Sequence, residues 1–137
     1  ADSGYMYNLY GFGYIQELEL LREAGFHPME VIQSATLNAA EAIGMDEKIG
    51  TIEVGKYADM ILMDQNPLKN LKYLYGTGDI KLDKSNNLVR VGGVNYTIKD
   101  GIIYDARELL EDVKKIVDKE KEANPDWESS MMQSIGR

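Results

Sequence analysis

Apolar positions recur at helical spacing over the start of the chain and at strand-like spacing through its middle. In Gly13–Ala24, Tyr14, Ile15, Leu18 and Leu21 share one side, while Glu17, Glu19 and Arg22 fall mostly on others. That pattern predicts an amphipathic helix. Gly25 supplies its stop, because a residue without Cβ enters the left-handed region cheaply. Pro28 suits the first position of a second helix, having a preset φ and no N–H to satisfy. The predicted buried stripe of that helix is Met29, Ile32, Ala35, Ala39 and Ile43, with Gly44 ending it.

Beyond Gly44 the period shortens. Thr51–Val54 and Ala58–Met63 are expected to be strands joined by a turn at Gly55-Lys56. Met60-Ile61-Leu62-Met63 is apolar throughout, the pattern of a strand covered on both faces. Asn66-Pro67 breaks the pattern, and Leu68–Tyr75 fits either a short helix or an irregular connection. Asp79–Asn87 is polar, with turn residues at Ser85-Asn86-Asn87. Leu88–Val91, Val94–Lys99 and Ile102–Tyr104, separated by Gly92-Gly93 and Asp100-Gly101, predict a three-stranded meander with two hairpin turns. Asp105, followed three residues on by Glu108, is a capping-box pattern. It opens a helix to about Glu122 with Leu109, Leu110, Val113, Ile116 and Val117 on one stripe. Glu111 with Lys115 and Lys114 with Asp118 mark its solvated face. Asn124-Pro125 ends it, and Trp127, Met131 and Met132 of the tail could dock on a neighbour.

Composition narrows the function. Fifteen basic against 23 acidic residues give a net charge of −8 over 137 residues. No basic face for phosphates is expected, so no nucleic-acid partner is expected. No apolar run reaches the roughly 18 residues that span a bilayer, so no membrane role is expected and the chain reads as soluble, cytoplasmic or secreted. With no cysteine there is no disulfide, thiolate metal site or cysteine nucleophile. The chain opens at Ala1 without an initiator methionine, which raises the expectation of an excerpt or a processed product.

Four segments in order carry a resemblance: ADSG (Ala1–Gly4), IQELELLREAG (Ile15–Gly25), HPMEVIQSATLNAAEAIGM (His27–Met45) and GTIEVGKYADMILMD (Gly50–Asp64), with IKDGIIYD (Ile98–Asp105) as a later echo. Together they resemble the C-terminal part of metal-dependent amidohydrolases of the imidazolonepropionase and prolidase-like kind. The resemblance implies an α/β fold: the C-terminal end of a (β/α)8 barrel, part of a small β-sandwich and a C-terminal helix. The expected division is residues 1–48 for the last barrel strand end and following helices, 49–105 for the β-rich small domain, and 106–137 for the helix and tail. Residues 76–93, the final helix and the tail depart from the family pattern, as do His27 for a usual threonine or serine and Val54 for proline.

The resemblance also implies chemistry. Asp2 sits where the family keeps the aspartate that touches the metal and shuttles the proton. The implied cofactor is a divalent metal, zinc above all, whose bound water has a pKa of about 7. A carboxylate beside that water can take its proton and pass it to the leaving nitrogen. The family's histidine ligands have no counterpart here, since the only histidine, His27, lies at a helix start. The isolated chain is therefore expected to hold no metal and hydrolyse nothing, while its full-length parent cuts an amide, peptide or cyclic amide. Tyr5, Tyr7 and Tyr10, with Phe12 and Tyr14, follow Asp2 on a loop that suits either substrate contact or loop packing. Lys56 and Asp59 read as turn-fixing, and Thr36 and Asn38 as local hydrogen-bond formers. Homo-oligomerisation, or association with the missing N-terminal portion, is expected from open strand edges. The alternative is a non-catalytic α/β binding or oligomerisation module.

Overall fold

The computed structural model describes residue 4 and residues 10–125. Asp2, Tyr5, Tyr7 and Trp127 lie outside them. Two compact units divide at Tyr104 and Asp105.

In the first unit, α1 (Phe12–Glu23), α2 (Pro28–Ala35) and α3 (Leu37–Ala42) precede β1 (Met60–Leu62) and a 3₁₀ turn (Leu71–Leu74). The predicted face of α1 does go inside: Ile15 and Leu18 join Val31 of α2 and Leu71 of the 3₁₀ turn in one core, with Leu21, Ile32 and Leu74 against it. Val31 is completely buried. Tyr14, on the same stripe, is half exposed, but its hydroxyl donates to the Ala35 carbonyl at 3.1 Å and ties α1 to the end of α2. Gly25 takes φ +104° as expected of the stop.

The single helix predicted from Pro28 to Ile43 is instead two. Thr36 leaves helical geometry, at φ −121° and ψ −88°. Its hydroxyl donates to the Ile32 carbonyl at 2.8 Å, and the Ser34 hydroxyl donates to that of Val31 at 2.8 Å. Side-chain donors thus compete with the backbone ladder where α2 ends. The buried face differs from the predicted stripe on both sides of the break, Val31 being the buried residue of α2. Ala40 is buried, whereas Met29 and Ile43 are exposed, contrary to the predicted stripe.

Three strand expectations also need correction. Thr51–Val54 forms no strand; Ile52 and Val54 are exposed and the segment folds back as a loop. β1 is not covered on both faces, because Ile61 and Leu62 are both exposed. The meander does not form either. Asp79–Leu82, expected as a polar stretch, is β2 and pairs antiparallel with β3 (Leu88–Val91), Asp79 opposite Val91 and Leu82 opposite Leu88. β4 (Tyr96–Lys99) and β5 (Ile102–Asp105) lie in a separate sheet of order β1-β4-β5, with Met60 opposite Ile98 and Leu62 opposite Tyr96. Asp100-Gly101 is the predicted hairpin turn, with φ +50° and +81°. Gly92-Gly93 is not. A Cβ at Gly92 would come 2.7 Å from Tyr73 Cδ1, and the Gly93 N–H donates to the Tyr73 carbonyl at 3.0 Å. The glycine pair lets the chain pass close over the 3₁₀ turn.

The second unit is built on α4 (Ala106–Ala123). Asp105 caps it as predicted, its carboxylate accepting from the N–H groups of Arg107 at 2.9 Å and Glu108 at 3.2 Å. On its solvated side the ion pair that forms is Lys115 with Asp112, at 2.8 Å, one position off the expected Glu111.

Candidate functional site

Tyr10 is the one described member of the expected site, and it is 80% exposed in the turn before α1. Its phenol lies against Gly4, two positions after Asp2 in the sequence. A Cβ at Gly4 would meet the Tyr10 hydroxyl and come 2.6 Å from its Cζ. The glycine of the ADSG segment thus makes room for an aromatic ring. Whether Tyr5 and Tyr7 join it falls outside the described residues.

Among the described residues, no three His, Asp or Glu side chains come together as a cation site. His27 occupies the N-cap of α2, where its N–H donates to the Glu30 carboxylate at 2.6 Å. That is helix capping, as the sequence suggests.

The Gly55–Asp59 segment is a structural clasp. Lys56 Nζ donates to the Asp46 carbonyl at 2.5 Å and to Thr51 Oγ1 at 2.6 Å, pinning the loop that the sequence predicts as a strand. The Asp59 carboxylate accepts from Lys99 Nζ and, at 2.7 Å, from the Asp100 N–H. One carboxylate thereby joins the entry to β1 with the β4–β5 turn, 41 residues away. Lys99, then the Asp100 N–H, hold the Asp59 carboxyl below its ordinary pKa. A carboxyl depressed in the folded state contributes stability above the ordinary carboxylate range and loses it as pH falls through the lower folded value. Asp59→Asn should therefore be less stable than the parent chain at about pH 6, with the gap narrowing toward about pH 2.5. Denaturant titrations at the two pH values test this; a gap independent of pH would remove the charge of Asp59 from the account.

A second polar tie joins α1 to the 3₁₀ region. The Tyr75 hydroxyl donates to Glu19 Oε2 at 2.8 Å, and Lys72 stands 3.9 Å from the same carboxylate. Burial, then the Glu19 carboxylate, push the Tyr75 phenol up to about 12. It remains protonated at neutral pH and works as a donor, not a base. Between α2, α3 and β1 lies an open groove of about 600 Å³, lined chiefly by Ile32, Ala35, Ala39, Ile43, Ile49 and Ile61. Its walls are apolar apart from Thr36, Thr51 and Asp59. Sequence reasoning missed it, because a groove between separate elements has no local signature.

The family model described as "Amidohydrolase family" matches residues 5–103. This chain belongs to the amidohydrolase family. The family resemblance is borne out, and three of its four segments lie within the matched residues, ADSG preceding them. Among curated relatives, a 5′-deoxyadenosine deaminase of Methanobrevibacter smithii is 31% identical over 121 residues, which is 80% of this chain and 26% of the deaminase. An imidazolonepropionase of Shouchella clausii is 41% identical over 68 residues, 49% of this chain and 15% of that enzyme. A crystal structure of a Xaa-Pro dipeptidase with bound methionine in the active site superimposes with a TM-score of 0.52 at 28% identity, covering 72% of this chain and 20% of that one. This amidohydrolase chain thus spans about a quarter or less of each protein it matches.

Proposed function

We propose that these 137 residues serve as the C-terminal part of a zinc-dependent amidohydrolase that hydrolyses a C–N bond in a small molecule or peptide. The observation that carries this reading is the family match across residues 5–103. Relatives named as a deaminase and a dipeptidase support C–N bond hydrolysis, and the shared lengths support a part of a larger catalytic unit.

The described residues do not fit a metal centre. On this reading the metal ligands would reside on the preceding barrel strands, and a divalent ion held there would lower the pKa of a bound water. The contribution of this chain is Asp2, whose carboxylate accepts the proton of the attacking water and returns it to the leaving nitrogen. The tyrosines next in sequence, Tyr5, Tyr7 and Tyr10, would line the approach of the substrate, offering rings for contact and hydroxyls for hydrogen bonds. The apolar groove beside α2, α3 and β1 then serves as a seat for the rest of the enzyme, being too poor in polar groups to orient a hydrolysable amide.

The isolated 137-residue chain should show no zinc site of micromolar affinity and no turnover of a 5′-deoxyadenosine, imidazolonepropionate or Xaa-Pro dipeptide substrate. Calorimetric titration and direct assay check it. Tight zinc binding at one site per chain would overturn this division of labour. Joined to a preceding barrel that carries the histidine ligands, the same residues should support hydrolysis of one such substrate.

A further inference from the structure

The stripe on α4 is the longest exposed apolar face on any one element among the described residues. Leu109, Leu110, Val113, Ile116 and Val117 are between 43% and 68% exposed. In a seven-residue repeat beginning at Ala106, Leu109, Val113 and Ile116 take the d, a and d positions of a coiled-coil seam. Leu110 and Val117 take both e positions, on one flank. The opposite flank holds Asp112 and Lys119 at the two g positions. The two flanks thus differ in kind, one apolar and one carrying opposite charges seven residues apart.

We propose that this face is a self-association surface, on which α4 of a second copy of this chain docks antiparallel. The flanks decide both the occupant and the direction. In a parallel pair, g positions of one helix face e positions of the other, which would press Asp112 and Lys119 against Leu110 and Val117. In an antiparallel pair, g faces g and e faces e. Asp112 then meets Lys119 of the second copy, the two-fold axis repeats the pair, and Leu110 meets Val117 on the other side. A closed two-fold pairing needs such self-complementarity, and no partner of a single charge sign would match it. Asp112 already holds Lys115 of its own helix at 2.8 Å, and both side chains are exposed, so the carboxylate can share the two cations. Glu120 occupies the next a position and closes the seam, so the contact is short and its affinity modest.

This inference is independent of the hydrolytic reading and is tested on the full 137-residue chain. Sedimentation equilibrium across about 2–200 µM at low salt should show a monomer–dimer equilibrium with a dissociation constant on the order of 10 µM. Asp112→Lys alone, or Lys119→Asp alone, sets like charges opposite one another and should weaken the dimer about tenfold. The two changes together restore opposite charges and should bring the constant back to within about threefold of the parent. Lys119→Asp leaves the Asp112–Lys115 pair in place, so its effect cannot be assigned to loss of that pair. Circular dichroism tracks helix content in each variant. A monomer at every concentration would overturn the proposal and leave the stripe to another part of the chain or a different partner. A dimer indifferent to the single changes, or a double variant that stays weak with its helix intact, would overturn it as well.

Discussion

In a polypeptide that carries these residues behind a complete barrel, Asp2→Asn lowers turnover by about 10²–10⁴-fold, the usual worth of one general acid–base group. The amide keeps the size and planarity of the carboxylate but cannot accept a proton, so the attacking water and the leaving nitrogen both lose their proton relay. Substrate affinity should change far less than turnover, because the loss falls on the transition state. The measurement is steady-state kinetics on a variant whose metal content and unfolding midpoint match the parent. Near-normal turnover in such a variant removes Asp2 from the mechanism. A variant that fails to load metal would show instead that Asp2 acts chiefly as a ligand.

A large effect on stability is expected at Gly50. Its φ of +95° is in the left-handed region, and a Cβ there would come 2.7 Å from the Ala40 Cβ and 3.2 Å from the Leu37 Cα. Neither neighbour can swing aside, since one is a buried methyl and the other is backbone of α3. Left-handed geometry costs an alanine roughly 1–2 kcal/mol, and forcing a methyl into filled space adds roughly 1–3 kcal/mol. Gly50→Ala should therefore destabilise the chain by about 2–5 kcal/mol. Gly55 is the control. Its φ is +96°, but a Cβ there would meet nothing within 4 Å. Gly55→Ala should cost only about 1 kcal/mol, the conformational part reduced by lost freedom of the unfolded chain. Denaturant melts of the two variants separate backbone strain from crowding; equal losses would mean that α3 yields to the added methyl.

Much of the helical framework is legible in the sequence because a helix advertises itself within one turn. Ile15 and Leu18 are spaced for one face, Gly25 can only be a stop, and Asp105 with Glu108 announces the start of α4. The break at Thr36 is less legible, since a threonine inside a helix pattern reveals a bond to the preceding turn only when the carbonyl it reaches is seen. Sheet pairing is harder for another reason. β1 finds β4 across more than thirty intervening residues, and β2 carries the strand alternation with Asp79 and Lys81 on one face, where charge masks it. The proposed role of Asp2 rests only on a set of motifs in order, and Asp2 lies outside the described residues. The ADSG segment takes its meaning from the three motifs downstream, because an aspartate beside a serine and a glycine has no chemical signature of its own. The role of Asp59 is foreshadowed by the turn it occupies, but Lys99 and Asp100, its partners, cannot be named without the fold.

Within the first unit, the stretch from Gly76 to Gly93 sets out and returns at nearly the same point. A Cβ placed on Gly93 would lie 3.1 Å from the Gly76 carbonyl oxygen and 3.3 Å from the Gly78 nitrogen. Between those two points the chain makes its own hairpin, β2 with β3, and borrows no strand from the sheet that β1 and β4 share. An excursion whose ends touch adds little closure cost as it grows, since that cost rises only with the logarithm of length. Residues 77–92 are therefore an appendix to the fold rather than a link in it. A change in the length of such an appendix therefore costs the framework beneath it little.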